Sequence, residues 1–475
     1  MPSNWDLGVW KLSEPVGQSD IAIVGLGVMG RNLALNLLDQ GMQVAGWDAD
    51  EAWADNNSSL SANANFCYAN HIKALVQGLK LPRKVLLLVP AGDAVEKALQ
   101  ALAAELQPGD IVVDCGNSHY LDSIARGSRE SMQSMHFVGL GVSGGSAGAR
   151  NGPSMMFVGD EYAWEHLSPI LQQIAAQGID GPCIKRFGGA GAGHFVKMVH
   201  NGIEYAEMQL IAEAHDIMSR GMGLSHSEQS DFFQRANKGP LQGFLIALAS
   251  KVLEPETTSL DLIIDSAEQK GTGAWSVMAA LELGISVPCI AAAVDARLMS
   301  SFWHERQRRA GIFSVANANS ADLSLVLEDL EKAIWFSKIC AYMQGFDMLI
   351  KANEVFGWSV SIRDVCSVWS GGCIIRGAIL TTFFDALAGG ADMDVLDVVK
   401  IRQALIDNQQ AMRATVRFAV EQAIPMPALH GAMSWFDAFA SARMPQAITQ
   451  AQRDAFGSHG IKLFENPDQK VHGEW

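Results

Sequence analysis

Two kinds of hydrophobic pattern divide this chain. From Asp20 to about residue 190, short apolar runs ("IAIVGLG", "QVAGWD", "KVLLLVPAG", "DIVVDCGNS", "HFVGLGVSGG") alternate with stretches of helical period. Runs of that kind, about 20 to 30 residues apart, predict a parallel, doubly wound sheet, since a strand covered on both faces is apolar throughout. The glycine-rich joint "FGGAGAG", residues 187–193, closes this region. Beyond it strand signals almost vanish. Residues 194–450 are rich in Ala, Leu and Met at helical spacing, broken by "KGPLQG", "EPETTS" and "VANANSADLS". The pattern predicts a loose arm over 1–18, an α/β domain over 19–190, a large all-α domain over 191–450 and an aperiodic C-terminal tail over 451–475.

One helical segment departs from ordinary amphipathicity. Around "KMVHNGIEY", residues 197–205, Val196, Val199, Ile203 and Ala206 form an apolar stripe. Lys197, His200, Asn201, Glu204 and Tyr205 fall at i, i+3, i+4, i+7 and i+8 and share a second face. That face continues into Met208, Ile211 and Ala212, where core contacts are expected to begin. A polar stripe seen alone is usually solvated or paired with a neighbouring helix. A Lys, a His and a Glu leading into apolar positions point instead toward chemistry.

Composition narrows the classes. A chain of 475 residues is too long for one ordinary core, and 49% hydrophobic with 18% charged residues is a globular composition. The net charge of −16, with no block of Lys and Arg, argues against a nucleic-acid surface, so an anionic ligand would need the cations gathered at one place. Seven scattered cysteines without a CxxC read as buried thiols of a reducing compartment, neither a disulfide framework nor a metal cluster. No HExxH occurs either, and no metal is expected. The first twenty residues lack a cationic start and an apolar core, and no apolar run reaches about 18 residues. A cytoplasmic protein without a membrane span is the expectation.

Gly25, Gly27 and Gly30 stand in G-x-G-x-x-G spacing between a predicted strand and a predicted helix, and Asp48 ends the next strand 23 residues after Gly25. The triplet alone is weak, but its context fits a Rossmann dinucleotide site. Gly25 permits a tight turn, Gly27 lets the backbone approach a pyrophosphate, and Gly30 lets helix and strand pack closely. The phosphates would then sit on the helix N-terminus at Val28 and Met29, where free N–H groups and the dipole favour anions.

"GLGVMGRNLALN", "CGNSHY", "GVSGGSAGARNGPSMM", "GAGHFVKMVHNGIEYAEMQLIAE", "DSAEQKGTGAWSV", "GGCIIRGAIL" and "QAQRDAFGSHG" together closely resemble the decarboxylating 6-phosphogluconate dehydrogenases, in the family's order, from Asp20 to Trp475. The resemblance implies a Rossmann-type coenzyme domain followed by a large all-α substrate and dimerisation domain. It also implies a tail that reaches the partner subunit of a homodimer. The implied reaction oxidises C3 of 6-phosphogluconate and releases C1 as carbon dioxide, leaving ribulose 5-phosphate, without a metal. Lys197 matches the residue acting as base in oxidation and as acid in decarboxylation, its pKa lowered by desolvation beside other cations. Glu204 matches the acid at C1. His200 and Asn201 match ligands of the sugar hydroxyls. Tyr205, Lys270, Thr272, Arg297 and, from the tail, Arg453 with His459 match the phosphate end. Asn117, Ser143, Gly144 and Gly145 match contacts to the carboxylate and hydroxyls, with Asn117 also near the nicotinamide and Val89 beside the coenzyme.

Three departures from the family pattern stand out. Ser146 and Ala147 replace acidic residues, and Cys115 replaces a glycine. At the adenosine end, Asp48, Ala49 and Asp50 occupy the positions of an "NRT" that grips the 2′-phosphate of NADP, Glu51 follows, and Pro90 replaces a lysine. NAD is therefore the expected coenzyme, NADP being less favoured. Two other readings stay open. One is a β-hydroxyacid dehydrogenase for an unphosphorylated acid, which would lack the phosphate set. The other is a non-catalytic nucleotide sensor, which would have lost Lys197 or Glu204.

Overall fold

The computed structural model describes residues 18–50, 52–53, 58–129, 134–254, 259–269, 271–313, 326–389 and 398–475. Most of the N-terminal arm, Glu51 and Lys270 therefore lie outside the described residues.

The α/β region begins with β1 (Ile21–Val24), α1 (Val28–Asp39), β2 (Val44–Trp47), β3 (Phe66–Tyr68), β4 (Lys84–Leu87) and β5 (Ile111–Asp114). It continues with α2 (Tyr120–Gly127), β6 (His136–Ser143), α3 (Gly145–Asn151), β7 (Ser154–Val158) and β8 (Ile184–Arg186). These strands form one eight-stranded sheet in the order β8-β7-β6-β5-β4-β1-β2-β3. Ile21 to Val24 are all fully buried. Leu33 and Leu37 of α1, with Leu167 and Leu171, cover one face, and Leu75, Val95, Leu99 and Leu102 cover the other. Two covered faces explain why these strands read as unbroken apolar runs.

The sheet is not wholly parallel. β7 runs antiparallel to β6, with Ser143 opposite Ser154 and Gly139 opposite Val158. The connection holds only the seven-residue α3, and a parallel return needs a crossover of about a dozen residues or more. The three shortest-signalled strands, β3, β7 and β8, were not among the predicted runs. On β3, Cys67 is half-buried, because that strand lies at the sheet edge; the other six thiols are buried.

The helical region is organised around α4 (Ala192–Asp216), which packs against α5 (Thr272–Leu283), α6 (Pro288–Ser301) and α7 (Leu327–Phe356). Helices α8 (Val399–Glu421) and α9 (Pro427–Phe439) complete that packing. Val196, Val199, Ile203 and Ala206 are fully buried, as their stripe requires. Lys197, His200, Asn201 and Tyr205 on the other stripe are buried too, whereas Met208, its apolar continuation, is 41% exposed and Ala212 is exposed. The expected direction of burial along that face is thus reversed. The N-terminal half of α4 enters the junction with the sheet, through its contacts with β6 and β7, and this face of its C-terminal half emerges.

Buried polar groups of α4 have fixed partners, as burial demands. Glu207 pairs with Lys338 at 3.0 Å and accepts from the Tyr342 hydroxyl at 2.7 Å, tying α4 to α7. Glu213 accepts the N–H groups of Ala428 and Leu429 at 2.8 and 2.9 Å, capping α9. Residues 451–457, expected to be aperiodic, continue α10 (Gln446–Gly457), and β9 (Ile461–Leu463) pairs antiparallel with β10 (Asn466–Val471). Asp454 is the one buried residue of α10, and Ile448 and Phe456 are exposed. Among the described residues, no helix is long and apolar enough to cross a membrane.

Glu213 links stability to pH. Burial pushes its carboxyl up to about 7, against the pull of the Leu429 and Ala428 amides. A carboxyl raised in the folded state contributes stability that is full below its unfolded pKa and is lost as pH rises through about 7. Urea titrations from pH 4.5 to 7.5 should show wild type losing, relative to Glu213→Gln, on the order of 3 kcal/mol. Parallel pH curves for the two proteins would refute this.

Candidate active site

The coenzyme end is built on the turn between β1 and α1. Gly25 has φ +92°, and a Cβ there would lie 2.6 Å from the Leu88 carbonyl oxygen. A Cβ on Gly30 would lie 1.9 Å from the Gly25 oxygen, so α1 approaches β1 only with glycine there. A Cβ on Gly27, by contrast, would meet nothing within 4 Å. That open space lies over the N-terminus of α1, beside exposed Val28 and half-buried Met29. It is the cradle a pyrophosphate would fill, so these residues fit a dinucleotide.

One carboxylate and one indole hold the middle of this turn. Asp48 Oδ2 accepts the Leu26 N–H at 2.5 Å, and its Oδ1 accepts the Asp50 N–H at 2.9 Å. Trp53 Nε1 donates to the Leu26 carbonyl at 2.8 Å and its ring stacks on Tyr68 at 5.3 Å. Among the described residues each Asp48 oxygen accepts one hydrogen bond, which leaves it a second lone-pair site. Ala49, Asp50 and Pro90 are exposed, and half-buried Val89 touches the turn through Gly25. Trp53 was missed by the motif reading, although an aromatic three residues after "DAD" was its signal.

The reacting end lies where α4 crosses β6. Cβ atoms on Gly141 or Gly193 would collide with the facing backbone: Gly141 at 2.7 Å from the Gly193 oxygen and from Lys197 Cβ, Gly193 at 2.4 Å from the Met156 oxygen. These glycines bring α4 onto the sheet and set Lys197 beside the end of β6. Lys197 Nζ donates to Asn201 Oδ1 and lies 3.5 Å from His200 Nδ1. His200 Nε2 is 3.1 Å from Ser143 Oγ, and its Nδ1 is 3.7 Å from Glu204 Oε2. Ser143, Lys197, His200, Asn201 and Glu204 therefore form one cluster. Gly144, at φ +118°, lies against the Gly372 carbonyl, where a Cβ would come within 2.1 Å. Gly145 follows as the exposed first residue of α3, ahead of exposed Ser146 and Ala147.

Burial sets the protonation of this cluster. It lowers the Lys197 pKa, while Glu204 and the Cys373 thiol oppose the shift. The expected neighbouring cations are not its cause; desolvation is. The Glu204 carboxyl is raised by burial, then lowered by Lys197 and Arg297 and raised by Glu207. His200 is held well below its ordinary value by burial and by Lys197, so its ring is neutral. A lysine pushed down and a carboxyl pushed up lie on one helical face.

A second group gathers beyond Glu204. The Arg297 guanidinium lies 3.7 Å from the centre of the Tyr205 ring. Gly273, next to Thr272 at the start of α5, abuts the same ring, where a Cβ would sit 2.6 Å from Tyr205 Cε1. Tyr205, Thr272 and Arg297 thus converge. Asn117 stands exposed after β5 on a loop fixed by a buried network: Asp114 Oδ2 accepts from Ser118 Oγ at 2.7 Å and from Arg126 Nη1 at 2.8 Å. The acidic end of the otherwise apolar run "IVVD" was its sequence signal. Arg453 and His459 are exposed on the tail, whose hydrogen bonds close within residues 450–475. Among the described residues no group of three His, Cys, Asp or Glu side chains is arranged to hold a metal.

A glycine-rich turn opening a helix on a doubly wound sheet, with a buried lysine on an adjoining helix, defines a dinucleotide-dependent oxidoreductase. Residues 20–188 match the NAD binding domain of 6-phosphogluconate dehydrogenase, and residues 193–475 match the 6-phosphogluconate dehydrogenase C-terminal domain. The decarboxylating 6-phosphogluconate dehydrogenase of Mus musculus is 40% identical over 470 residues, covering 97% of each chain. That of Synechococcus elongatus is 39% identical over 469 residues, covering 95% of this chain and 98% of its own. The 6-phosphogluconate dehydrogenase of Plasmodium falciparum, solved in apo form and in complex with NADP+ and with 6-phosphogluconate, superposes with a TM-score of 0.90. It is 32% identical, with 96% of this chain and 100% of its own covered. The chain belongs to the decarboxylating 6-phosphogluconate dehydrogenase family and is an oxidoreductase of that kind.

The glycine contact under Lys197 is directly testable. Gly141→Ala places a methyl 2.7 Å from backbone and from Lys197 Cβ, so α4 must move off the sheet. Overpacking of this kind typically costs about 1–3 kcal/mol. Turnover should fall at least about tenfold, since small misplacements at a reacting centre are expensive. Urea unfolding and kcat of this variant both matching wild type would disprove the contact.

Proposed function

We propose that this chain oxidises 6-phosphogluconate at C3 and releases C1 as carbon dioxide, with NAD as the preferred coenzyme. The observation that carries the mechanism is the Lys197–Glu204 pair, whose protonation preferences burial shifts in opposite directions on one helical face. The dinucleotide, held by Gly25, Gly27, Gly30 and the N-terminus of α1, supplies the hydride acceptor. Neutral Lys197 takes the proton of the C3 hydroxyl as hydride leaves C3. The resulting β-keto acid loses carbon dioxide when the electrons of the C1–C2 bond can move toward the C3 oxygen. The Lys197 ammonium, beside that oxygen, stabilises the charge and returns the proton. Glu204, whose carboxyl burial raises, then protonates C1 of the enediol while Lys197 takes back the enol hydroxyl proton, giving the ketone. His200 and Asn201 orient Lys197 and the sugar hydroxyls, and Ser143 anchors His200 in turn. Tyr205, Thr272 and Arg297 take the phosphate, Arg297 as a bidentate fork. Lys270, outside the described residues, belongs to this set by its sequence match. Arg453 and His459 complete the set from the tail of a partner in a homodimer, a reading supported by their exposure and by a tail bonded to itself.

Lys197→Met removes base and acid together. Turnover should fall by orders of magnitude, each role contributing about 10²–10⁴-fold, while 6-phosphogluconate binding measured by calorimetry persists. Near-normal turnover would overturn the assignment.

The coenzyme preference rests on Asp48, Ala49 and Asp50. The spare lone pairs of Asp48 suit the two ribose hydroxyls of NAD and repel an added 2′-phosphate, and Ala49 offers no guanidinium. The difference should amount to about 2–4 kcal/mol, roughly 30- to 1000-fold in kcat/KM for NAD over NADP. The variant Asp48→Asn, Ala49→Arg, Asp50→Thr should move that ratio toward NADP. Because Asp48 also holds the Leu26 N–H, total activity should drop as well, so the ratio is the quantity to read. A wild-type preference for NADP, or an unmoved ratio in the triple variant, would show the adenosine end to be misread.

A further inference from the structure

The C-terminal segment is folded around a single carboxylate. Phe456 and Phe464 are 77% and 81% exposed, so apolar burial within the chain does not hold this segment together. Asp454 does. Its Oδ1 accepts the Gly460 N–H at 2.7 Å and His472 Nδ1–H at 2.8 Å. Its Oδ2 accepts the Gly473 N–H and Trp475 Nε1–H, each at 2.9 Å. Four donors fill the four lone-pair sites of the carboxylate, joining α10 to the end of the chain. The Gly473 N–H, then Trp475 and His472, hold its carboxyl well below the usual range, so the knot is charged at ordinary pH.

The knot brackets the exposed side chains of Arg453 and His459. Arg453 precedes Asp454 in the chain, and His459 precedes Gly460. Ser458, a non-glycine residue at φ 50°, turns the chain back so that Gly460 reaches Asp454. The Gly460 carbonyl accepts from Gln450 Nε2 at 2.6 Å, and Gln450 Oε1 accepts from Arg453 Nη1 at 3.2 Å. Gly460, the residue after His459, is thus pinned at both its N–H and its C=O, and the Arg453 guanidinium is tied to the same frame.

We propose that Asp454 is a positioning residue: with His472, Gly473 and Trp475 it folds the tail into a hook that presents Arg453 and His459 to the substrate phosphate in a second copy of the chain. This rests on the reading above that those two side chains serve the partner's site. Asp454 touches no substrate; it acts through its neighbours. The last four residues of the chain become part of the substrate site by the same route.

The test uses full-length Asp454→Asn and a chain ending at Val471. An asparagine NH2 would face two donors in place of accepting them, so at least two of the four bonds are lost. Both variants should raise KM for 6-phosphogluconate by about 10- to 100-fold. KM for the coenzyme and the melting temperature should stay near wild type, a split that general destabilisation would not produce. A hybrid dimer of one Lys197→Met subunit and one Asp454→Asn subunit is the second measurement. One of its sites combines an intact Lys197 with an intact hook from the neighbour, and should regain the wild-type KM. Wild-type KM in both altered chains would overturn the role of Asp454. A raised KM in both, with no recovery in the hybrid, would overturn delivery to the second copy and so identify the dimer reading as the part that failed. Should Asp454→Asn not fold, the chain ending at Val471 replaces it in the hybrid with the same outcomes.

Discussion

The distance between α4 and β6 is the constraint on which the rest of this molecule depends. Gly139 and Gly141 of β6 and Gly193 of α4 let the helix backbone, the His194 ring and Lys197 Cβ come against the strand, so the first turns of α4 lie inside the protein. Everything chemical about Lys197 follows from that depth. Desolvation, not a neighbouring cation, moves its proton affinity down, and the same desolvation moves Glu204 up. A solvated α4 would hold the same residues in the same order with no tendency to exchange a proton with substrate. The glycines under the helix thus belong to the active site as much as the lysine above them.

Much of this was legible in the sequence, for stated reasons. Apolar runs such as "IAIVG" and "DIVVD" mark strands covered on both faces, and five of the eight sheet strands came from that signal. The turn at Gly25 and the helix at 192–216 were legible because glycine spacing and helical period are local properties. What was not legible is what depends on tertiary packing. β7 reverses because α3 is short, which no period within "SMMFV" announces. Met208 is exposed because α4 leaves the sheet junction there, a matter of its neighbours and not its own pattern. α10 is held by its one buried residue, an aspartate, through hydrogen bonds that no hydrophobic period announces.

Asp48 shows how one group carries two demands. It holds the turn by its bonds to Leu26 and Asp50, and in the proposed function it would meet the coenzyme ribose with the lone pairs those bonds leave over. Trp53 secures the Leu26 carbonyl from the other side, so both backbone polar groups of that residue are fixed. The proposed coenzyme preference and the shape of the glycine turn would therefore be coupled through one carboxylate. A substitution aimed at the 2′-position also acts on the turn that receives the pyrophosphate.

The buried and half-buried ionisable groups fall into two sets by how completely they are bonded. Asp454 takes four donors, Glu213 takes two backbone amides and the Gln209 side chain, Glu207 takes Lys338 and Tyr342, and Asp114 takes Ser118, Arg126 and Gly116. Those groups tie elements together: Asp454 fills all four of its lone-pair sites, and the other three each accept two or three donors from the protein. Glu204 meets His200 at 3.7 Å, beyond hydrogen-bond range, and Lys197 reaches His200 at 3.5 Å, the limit of it. Both keep donor or acceptor capacity that burial makes costly to leave unused. A substrate that supplies the missing partners recovers that cost on binding. Glu204 and Lys197 thus differ from Glu207 and Glu213 of the same helix in how much bonding capacity they can offer a ligand.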